Sequence, residues 1–398
     1  MTTELLDSHP TRDVAEHGRR TWSLSLWGLR TVAVLELRQR VRSSRWFLVL
    51  GAWMLVLGGI TWLAIKAVYA TYAGFTSTVA GATADGGVDY APLVNETVSS
   101  QAGRTAFAVV VLMVLSLGAL VAPALSATSV NGDRNAGVLA TLQTTLLTPA
   151  ELAIGKLLAA WVVALALLAG ALPFIVWALV LGGLDVPRLL VVLGVLALVL
   201  LVVCAIGLGW SAVASKAVFS AVLTYLTVAF LGLGLPLVFV AMYPLSTSTE
   251  PVVTSYMMPV DPNAPTDGSG EVPMKCVTST ETQSVFHTER IWWILAPSPY
   301  VVLADATPIG KAGEATDPLG DIRNSVRDAR LGPDQTVYNQ CGDTSLPRQQ
   351  RQRDRDALGI TWPFGLGADL LLGAGFVAVA VQRLRTPTRT LPRGTRVA

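Results

Sequence analysis

Six long apolar stretches constrain this chain more than any other feature. Residues 46–70, 105–128, 152–181, 189–211, 217–243 and 360–382 each reach the ~20 residues that a helix needs to cross ~30 Å of hydrocarbon. Lipid offers backbone N–H and C=O groups no partner, so stretches of this length must bond internally as helices. The fold class expected is therefore an all-α membrane protein with six transmembrane helices. Composition agrees, because 52% of the 398 residues are hydrophobic and only 14% are charged, against roughly 25% charged in soluble domains. Too few charges remain to coat an ordinary water-facing surface. Pro123, Pro173, Pro236 and Pro363 fall inside the stretches, where a bundle tolerates them as kinks or as hinge points.

Charge placement predicts orientation. Arg30, Arg38, Arg40, Arg42 and Arg45 precede the first stretch, and Arg383, Arg385, Arg389, Arg393 and Arg396 follow the last. Residues 71–103 hold no Lys or Arg but carry Asp85, Asp89 and Glu96. Basic residues stay on the cytoplasmic side, so both termini are expected there, in a bacterial inner membrane. The preference for Arg over Lys points to a GC-rich bacterial genome. The expected organisation is a tail (1–21), a connecting helix (22–45) and a five-helix region (46–243) with a cytoplasmic loop at 129–151. An extracytoplasmic domain (244–359), a sixth helix (360–382) and a basic tail (383–398) follow. Within the extracytoplasmic domain, the apolar island 291–306 holds Trp292, Trp293, Pro297 and Pro299. It is too short to span, and reads either as an interfacial or re-entrant piece or as the core helix of a small domain.

Two segments carry mechanism. In residues 22–45, Leu26, Leu29, Ala33, Leu37 and Val41 recur at helical spacing among the arginines. That pattern predicts an amphipathic helix along the cytoplasmic interface, with its arginines near anionic lipid heads. A simple positively charged anchor would read the same way. In the loop, residues 131–142 run Asn-Gly-Asp-Arg-Asn-Ala-Gly-Val-Leu-Ala-Thr-Leu and lead to Thr148-Pro149-Ala150-Glu151 and Gly155-Lys156. A short helix is expected there, then a fresh helix start at Pro149. It is either a surface pressed on a cytoplasmic partner or a plain turn.

This loop resembles that of the ABC type-2 permeases, the membrane subunits of ATP-binding-cassette exporters. The family shows an acidic–basic pair, then Gly-Thr-Leu, a Thr-Pro break and a Gly-Lys entering the third span. The matching residues are Asp133, Arg134, Gly137, Val138, Leu139, Thr148, Pro149, Gly155 and Lys156. Asp133 stands where the family more often has Glu, and Val138 where it has Thr. Glu36, Arg38, Arg40 and Arg42 look like part of the family's connecting helix before the first span. The resemblance covers most of the chain except 244–359. It implies a permease dimer, with a second copy or a paralogue, above two cytoplasmic ATPase subunits. It also implies an ATPase-coupling role for Asp133, Arg134, Gly137, Leu139, Leu142 and Pro149. ATP and Mg would be used by the partner, with no cofactor bound by this chain. In keeping with a separate engine, neither Lys156 nor Lys311 sits in a Gly-x4-Gly-Lys-Ser/Thr phosphate loop.

The remaining candidates are few. Asp369 falls inside the last apolar stretch, where a charge costs at least ~2.5 kcal/mol. It is expected to serve transport, to bond another helix, to face an outer vestibule or to stay protonated. Ser220, Thr224 and Thr227 on the fifth stretch are possible partners. Cys276 and Cys341 lie in one polar segment and form a possible disulfide if it faces an oxidising compartment. No metal-ligand spacing or nucleophile set is visible, so no enzyme activity is expected, and the net charge of +2 gives no reason to expect nucleic acid as a partner. The leading reading is an exporter permease. The alternatives are a non-transport membrane protein whose extracytoplasmic domain binds a ligand or assembles envelope machinery, and an intramembrane enzyme using Asp369.

Overall fold

A computed structural model describes residues 22–41, 45–84, 91–135, 137, 147–182, 184–259, 274–307, 317–333, 341 and 345–385. The chain is predominantly helical. A docked helix, α1 (Leu26–Val41), precedes two long helices, α2 (Arg45–Ala84) and α3 (Ala91–Ser126), and the short α4 (Ser129–Asn135). Next come α5 (Pro149–Leu181), α6 (Val186–Val213) and a broken helix formed by α7 (Ala217–Ala229) and α8 (Leu235–Ala241). An antiparallel hairpin of β1 (Thr247–Pro259) and β2 (Met274–Phe286) follows. Then come α9 (Pro299–Ala306), α10 (Pro318–Leu331), α11 (Ser345–Ala357) and α12 (Trp362–Arg383). Among the described residues, six helical segments are long and apolar enough to cross a membrane.

The helices α2 and α3 run well beyond the apolar stretches, so most of residues 71–103 is helical rather than loop. Once nucleated, a helix adds one hydrogen bond for each residue it fixes, and it continues until the chain supplies a breaker.

The six spans are held unequally. Of the most apolar window in Leu189–Val213, 61% is buried, against 22% for Phe47–Gly74 and 17% for Ala217–Ala241. Helix α6 is therefore the central strut, and α2 and α7–α8 are outer staves whose Leu55, Leu63, Leu226 and Leu237 are exposed. Tryptophan and tyrosine side chains tie the helices together by donating to backbone carbonyls. Trp53 Nε1 donates to Leu167 (3.1 Å), Trp161 Nε1 to Ala197 (2.8 Å) and the Tyr225 hydroxyl to Leu120 (2.8 Å). Small residues let backbones meet, as membrane packing requires. A Cβ on Gly103 of α3 would lie 2.4 Å from the Gly182 carbonyl at the end of α5.

The fifth span breaks at Phe230–Gly234, a π-helical turn. Pro236 has no N–H for the Gly232 carbonyl four residues back, and the ladder shifts so that the Leu235 N–H donates to Phe230. Ser220, Thr224 and Thr227 do not turn to Asp369. They donate to the Ala127, Ser220 and Leu223 carbonyls, all at 2.8 Å.

On the face opposite α1 stands the segment between the fifth and sixth spans. Its hairpin pairs Thr247 with Phe286 through Pro259 with Met274, is largely exposed, and is joined by a Cys276–Cys341 disulfide (Cα–Cα 5.5 Å) to the stretch before α11. At its root His287 lies between Glu289 (Nδ1 to Oε1 2.6 Å) and Glu250 (Nε2 to Oε1 3.1 Å). The island 291–306 does not span. Trp293 is exposed, but Ile294, Leu295 and Val301 through Ala304 are buried, and Tyr300 Oη lies 3.0 Å from Ser116 Oγ of α3.

Helix α9 is locked to the start of α12 by Asp305. One of its carboxylate oxygens accepts the Thr361 N–H (2.5 Å), the Thr361 hydroxyl (2.7 Å) and the Trp362 N–H (2.9 Å), capping α12. The other accepts from Arg327 Nη2 of α10 at 3.0 Å. Burial pushes the Asp305 carboxyl up, but the Thr361 and Trp362 hydrogen bonds and the Arg327 charge outweigh it and hold it below the usual carboxylate range. One turn further along α12, a Cβ on Gly365 would sit 2.0 Å from the Ala296 carbonyl, whereas one on Gly367 would meet nothing within 4 Å. Thermal unfolding of the detergent-solubilised protein should therefore separate the two. Gly365→Ala is expected to destabilise by at least the ~1–3 kcal/mol of an overpacked contact. Gly367→Ala is expected to be neutral or to stabilise by up to ~1 kcal/mol.

Candidate functional site

The residues of the loop motif and of the N-terminal helix meet at one end of the bundle. The site begins with the start of α5. Thr148 is its N-cap, Pro149 its first helical residue and Glu151 its third, the order that forms a capping box. Thr148 Oγ1 accepts the Glu151 N–H (3.2 Å), and Glu151 Oε2 accepts the Thr148 N–H (2.9 Å). The box also binds the segment ahead of α1. Glu151 Oε1 accepts the Ser25 N–H at 2.7 Å, and the Thr148 hydroxyl donates to the Ser23 carbonyl at 2.8 Å. Helix α1 is thereby seated across the first two turns of α5.

Close packing makes the seat. A Cβ on Gly28 would lie 2.8 Å from Glu151 Cδ, and one on Gly155 would lie 2.7 Å from Val32 Cβ. The face that α1 turns to the bundle is centred on Gly28 and Val32, with Leu29, Ala33 and Leu37 half-buried beside them. Leu26 and Trp27 are exposed, so apolar side chains stand on both sides of this helix. Arg30 and Arg38 are exposed.

Lys156, one residue after Gly155, is the centre of the site. Its side chain is 1% exposed, and its ammonium is ion-paired to Glu36 of α1 and, at 2.5 Å, to Asp133 of α4. One buried cation thus joins α1, α4 and α5. An ammonium so thoroughly removed from water is tolerable only with such partners. Helix α4 is held from its other side as well, since Ser211 Oγ at the end of α6 accepts the N–H groups of Val130 (3.0 Å) and Asn131 (3.2 Å). A cleft of about 780 Å³ lies between α1 and the start of α5, lined by Trp27, Val32, Leu35, Leu147, Leu152 and Lys156 among others.

The sequence candidates are thus distributed as follows. Asp133 and Glu36 are brought together on Lys156, facing inward. Arg134 is half-buried at the end of α4, and Gly137 is exposed with φ 70°. Pro149 opens α5. Leu139, Leu142 and Arg42, and the side chain of Arg40, lie outside the described residues. Asp369 is not part of this site; it lies in α12, 2% exposed, with neither carboxylate oxygen accepting a hydrogen bond from the described residues. The described residues hold no group of three or more potential metal ligands. Sequence reasoning missed Ser25, Glu151 and Ser211, and missed that Lys156 bridges two elements. The Thr148-x-x-Glu151 spacing was a legible signal for the capping box, but nothing in the sequence joins Glu36 to Lys156 across 120 residues.

Removing the bridging cation is expected to loosen all three elements together. Lys156→Met should lower thermal stability by an amount near the low end of the ~3–5 kcal/mol for a broken buried pair, because both carboxylates are partly solvated. It should also open residues 22–41 to protease. A variant that keeps α1 protected would show that packing on Gly155 alone holds the helix.

Comparison with known proteins bears on what such a bundle does. The profile of the family described as ABC-2 family transporter protein matches residues 30–277, from within α1 to the start of β2. No curated protein matches the chain. The matched region contains the whole Glu36–Lys156–Asp133 cluster and five of the six membrane-length helices. More than half of the chain follows that family's pattern, and the chain belongs to the ABC-2 transporter family as a multi-pass permease component of an ABC transporter.

Proposed function

We propose that this chain forms one half of the substrate pathway of an exporter in a bacterial cell membrane and is driven by a separate cytoplasmic ATPase docked beneath α1 and α4. The observation that carries the reading is the Lys156 bridge, which ties α1 and α4 to the first turns of α5. A force applied at α4 would then reach a membrane span directly instead of being lost in a slack loop. The arginine asymmetry supports a cytoplasmic position for this face. The cleft between α1 and α5, apolar but edged by Glu36 and Glu151, has the chemistry to take an inserted element of the ATPase. Membrane lipid would hold the exposed Leu26 and Trp27 at the interface. A second permease, identical or paralogous, would complete the pathway, with ATP and Mg bound only by the ATPase subunits.

A detergent pull-down of tagged chain from its native host tests the coupling. A cytoplasmic ATPase is expected to co-purify with the wild type. It should be lost from Gly137→Trp, which alters an exposed position of the loop, and from Asp133→Arg, which breaks the bridge. Absence of any ATPase under gentle conditions would sink the proposal.

Asp369 belongs to the same reading as a polar group kept in the apolar stretch of α12 for the transport cycle. A carboxyl buried in an apolar span is costly, and such residues mark functional sites in membrane helices. Asp369→Asn is expected to leave protein level and assembly unchanged and to reduce export. Undiminished export by that variant would retire the idea.

A further inference from the structure

A second cavity, of about 800 Å³, lies on the hairpin side of the bundle, between the broken fifth span and helix α10. Its walls are apolar, with Pro236 and Phe239 from the span, Val301 from α9, and Val326 and Ala329 from α10 among them. Its size falls within the range of small-molecule sites, and its lining suits a hydrocarbon better than a sugar or a peptide. We infer that this cavity binds an alkyl chain of an amphiphile drawn from the surrounding bilayer, with the oxygen at the root of the chain bonded to Ser298.

Three independent features support that occupant. The first is continuity with the lipid-facing surface. Leu233, which lines the cavity, is 66% exposed, and it shares its helix face with the exposed Phe230, Leu237 and Val240. A chain can therefore enter sideways from hydrocarbon without crossing water. The second is the π-helical turn, which puts Gly232 in the cavity wall, where a Cβ would lie 3.0 Å from the Tyr300 ring. Such widened turns recur at functional sites. The third is Ser298. It lines the cavity, is buried, and its hydroxyl has no hydrogen-bond partner among the described residues. It stands at the N-cap of α9, where a serine ordinarily accepts a backbone N–H, yet here it caps nothing. A buried hydroxyl without a partner is destabilising, and a ligand oxygen would satisfy it. The polar groups at the rim, Asp321, Ser325 and the Asp328–Arg351 ion pair, would leave a headgroup in water.

The inference concerns binding by this chain alone, so it stands or falls separately from the ATPase proposal. The purified full chain would be placed in nanodiscs containing a phosphatidylcholine with a photoreactive diazirine near the end of one acyl chain, irradiated, and mapped by peptide mass spectrometry. Labelling at Leu371, a 77%-exposed position on α12, serves as the reference for ordinary lipid contact. Peptides carrying Pro236–Phe239 and Val326–Ala329 are expected to be labelled above that reference. Ser325→Trp, made at an exposed lining residue, should fill the cavity and reduce cavity labelling roughly tenfold, leaving Leu371 unchanged. Ser298→Ala, which removes the hydroxyl and leaves the walls intact, should lower it as well. Cavity labelling no higher than at Leu371, or labelling indifferent to Ser325→Trp, would overturn the proposal. Competition then identifies the source of the chain. Displacement of the label by unlabelled phosphatidylcholine marks a membrane lipid, and displacement only by lipid extract of the native host marks a dedicated amphiphile. Failure of both to displace would count against a specific site.

Discussion

Every other feature of this protein depends on the absence of hydrogen-bonding partners in hydrocarbon. It forces each apolar stretch into a helix and removes the hydrophobic effect as a reason for one helix to choose another. What remains is close packing and a few polar contacts, and the bundle uses both. Backbones approach at glycines such as Gly103 and Gly365, while Trp53, Trp161 and Tyr225 donate to carbonyls of neighbouring helices. The exception is the fifth span. Pro236 removes one rung of the ladder, the helix widens, and the wall of a cavity appears at the place where it widens.

The two ends of the bundle solve different problems with similar chemistry. At the α1 end, Lys156 is buried between Glu36 and Asp133 and holds three elements as a unit. At the hairpin end, Asp305 plays the corresponding part with reversed sign, collecting Arg327, Thr361 and the first N–H group of α12. In both, one buried charge is satisfied by groups from several separate segments, so that displacing any one segment exposes it. Such a centre fixes geometry more than it adds stability. A transporter that must move its spans while keeping its ends intact has a use for that rigidity.

Much of the fold was legible because the spans are governed by length and composition alone. The start of α5 was legible too, since Thr148 and Pro149 act locally. The ends of α2 and α3 were not, because helix propagation past the apolar stretch leaves no hydropathy signal. The island 291–306 could be read as too short to span, but its burial against α3, α6 and α12 depends on neighbours remote in sequence. The candidate site was half legible. Asp133 and Glu36 stand out as loop and helix residues whose pattern points to a partner or the interface, yet both turn inward to Lys156.

The sequence by itself determined the class of solvent, the number of spans and the family pattern. These follow from residue type summed along short windows and need no knowledge of contacts. Only the tertiary structure decided which helix is central, which charges are paired and where the cavities lie. Those properties arise when side chains from distant segments are brought within ångströms of one another. A buried Lys156 without Glu36 and Asp133 would be an untenable charge, and with them it becomes the joint of the molecule.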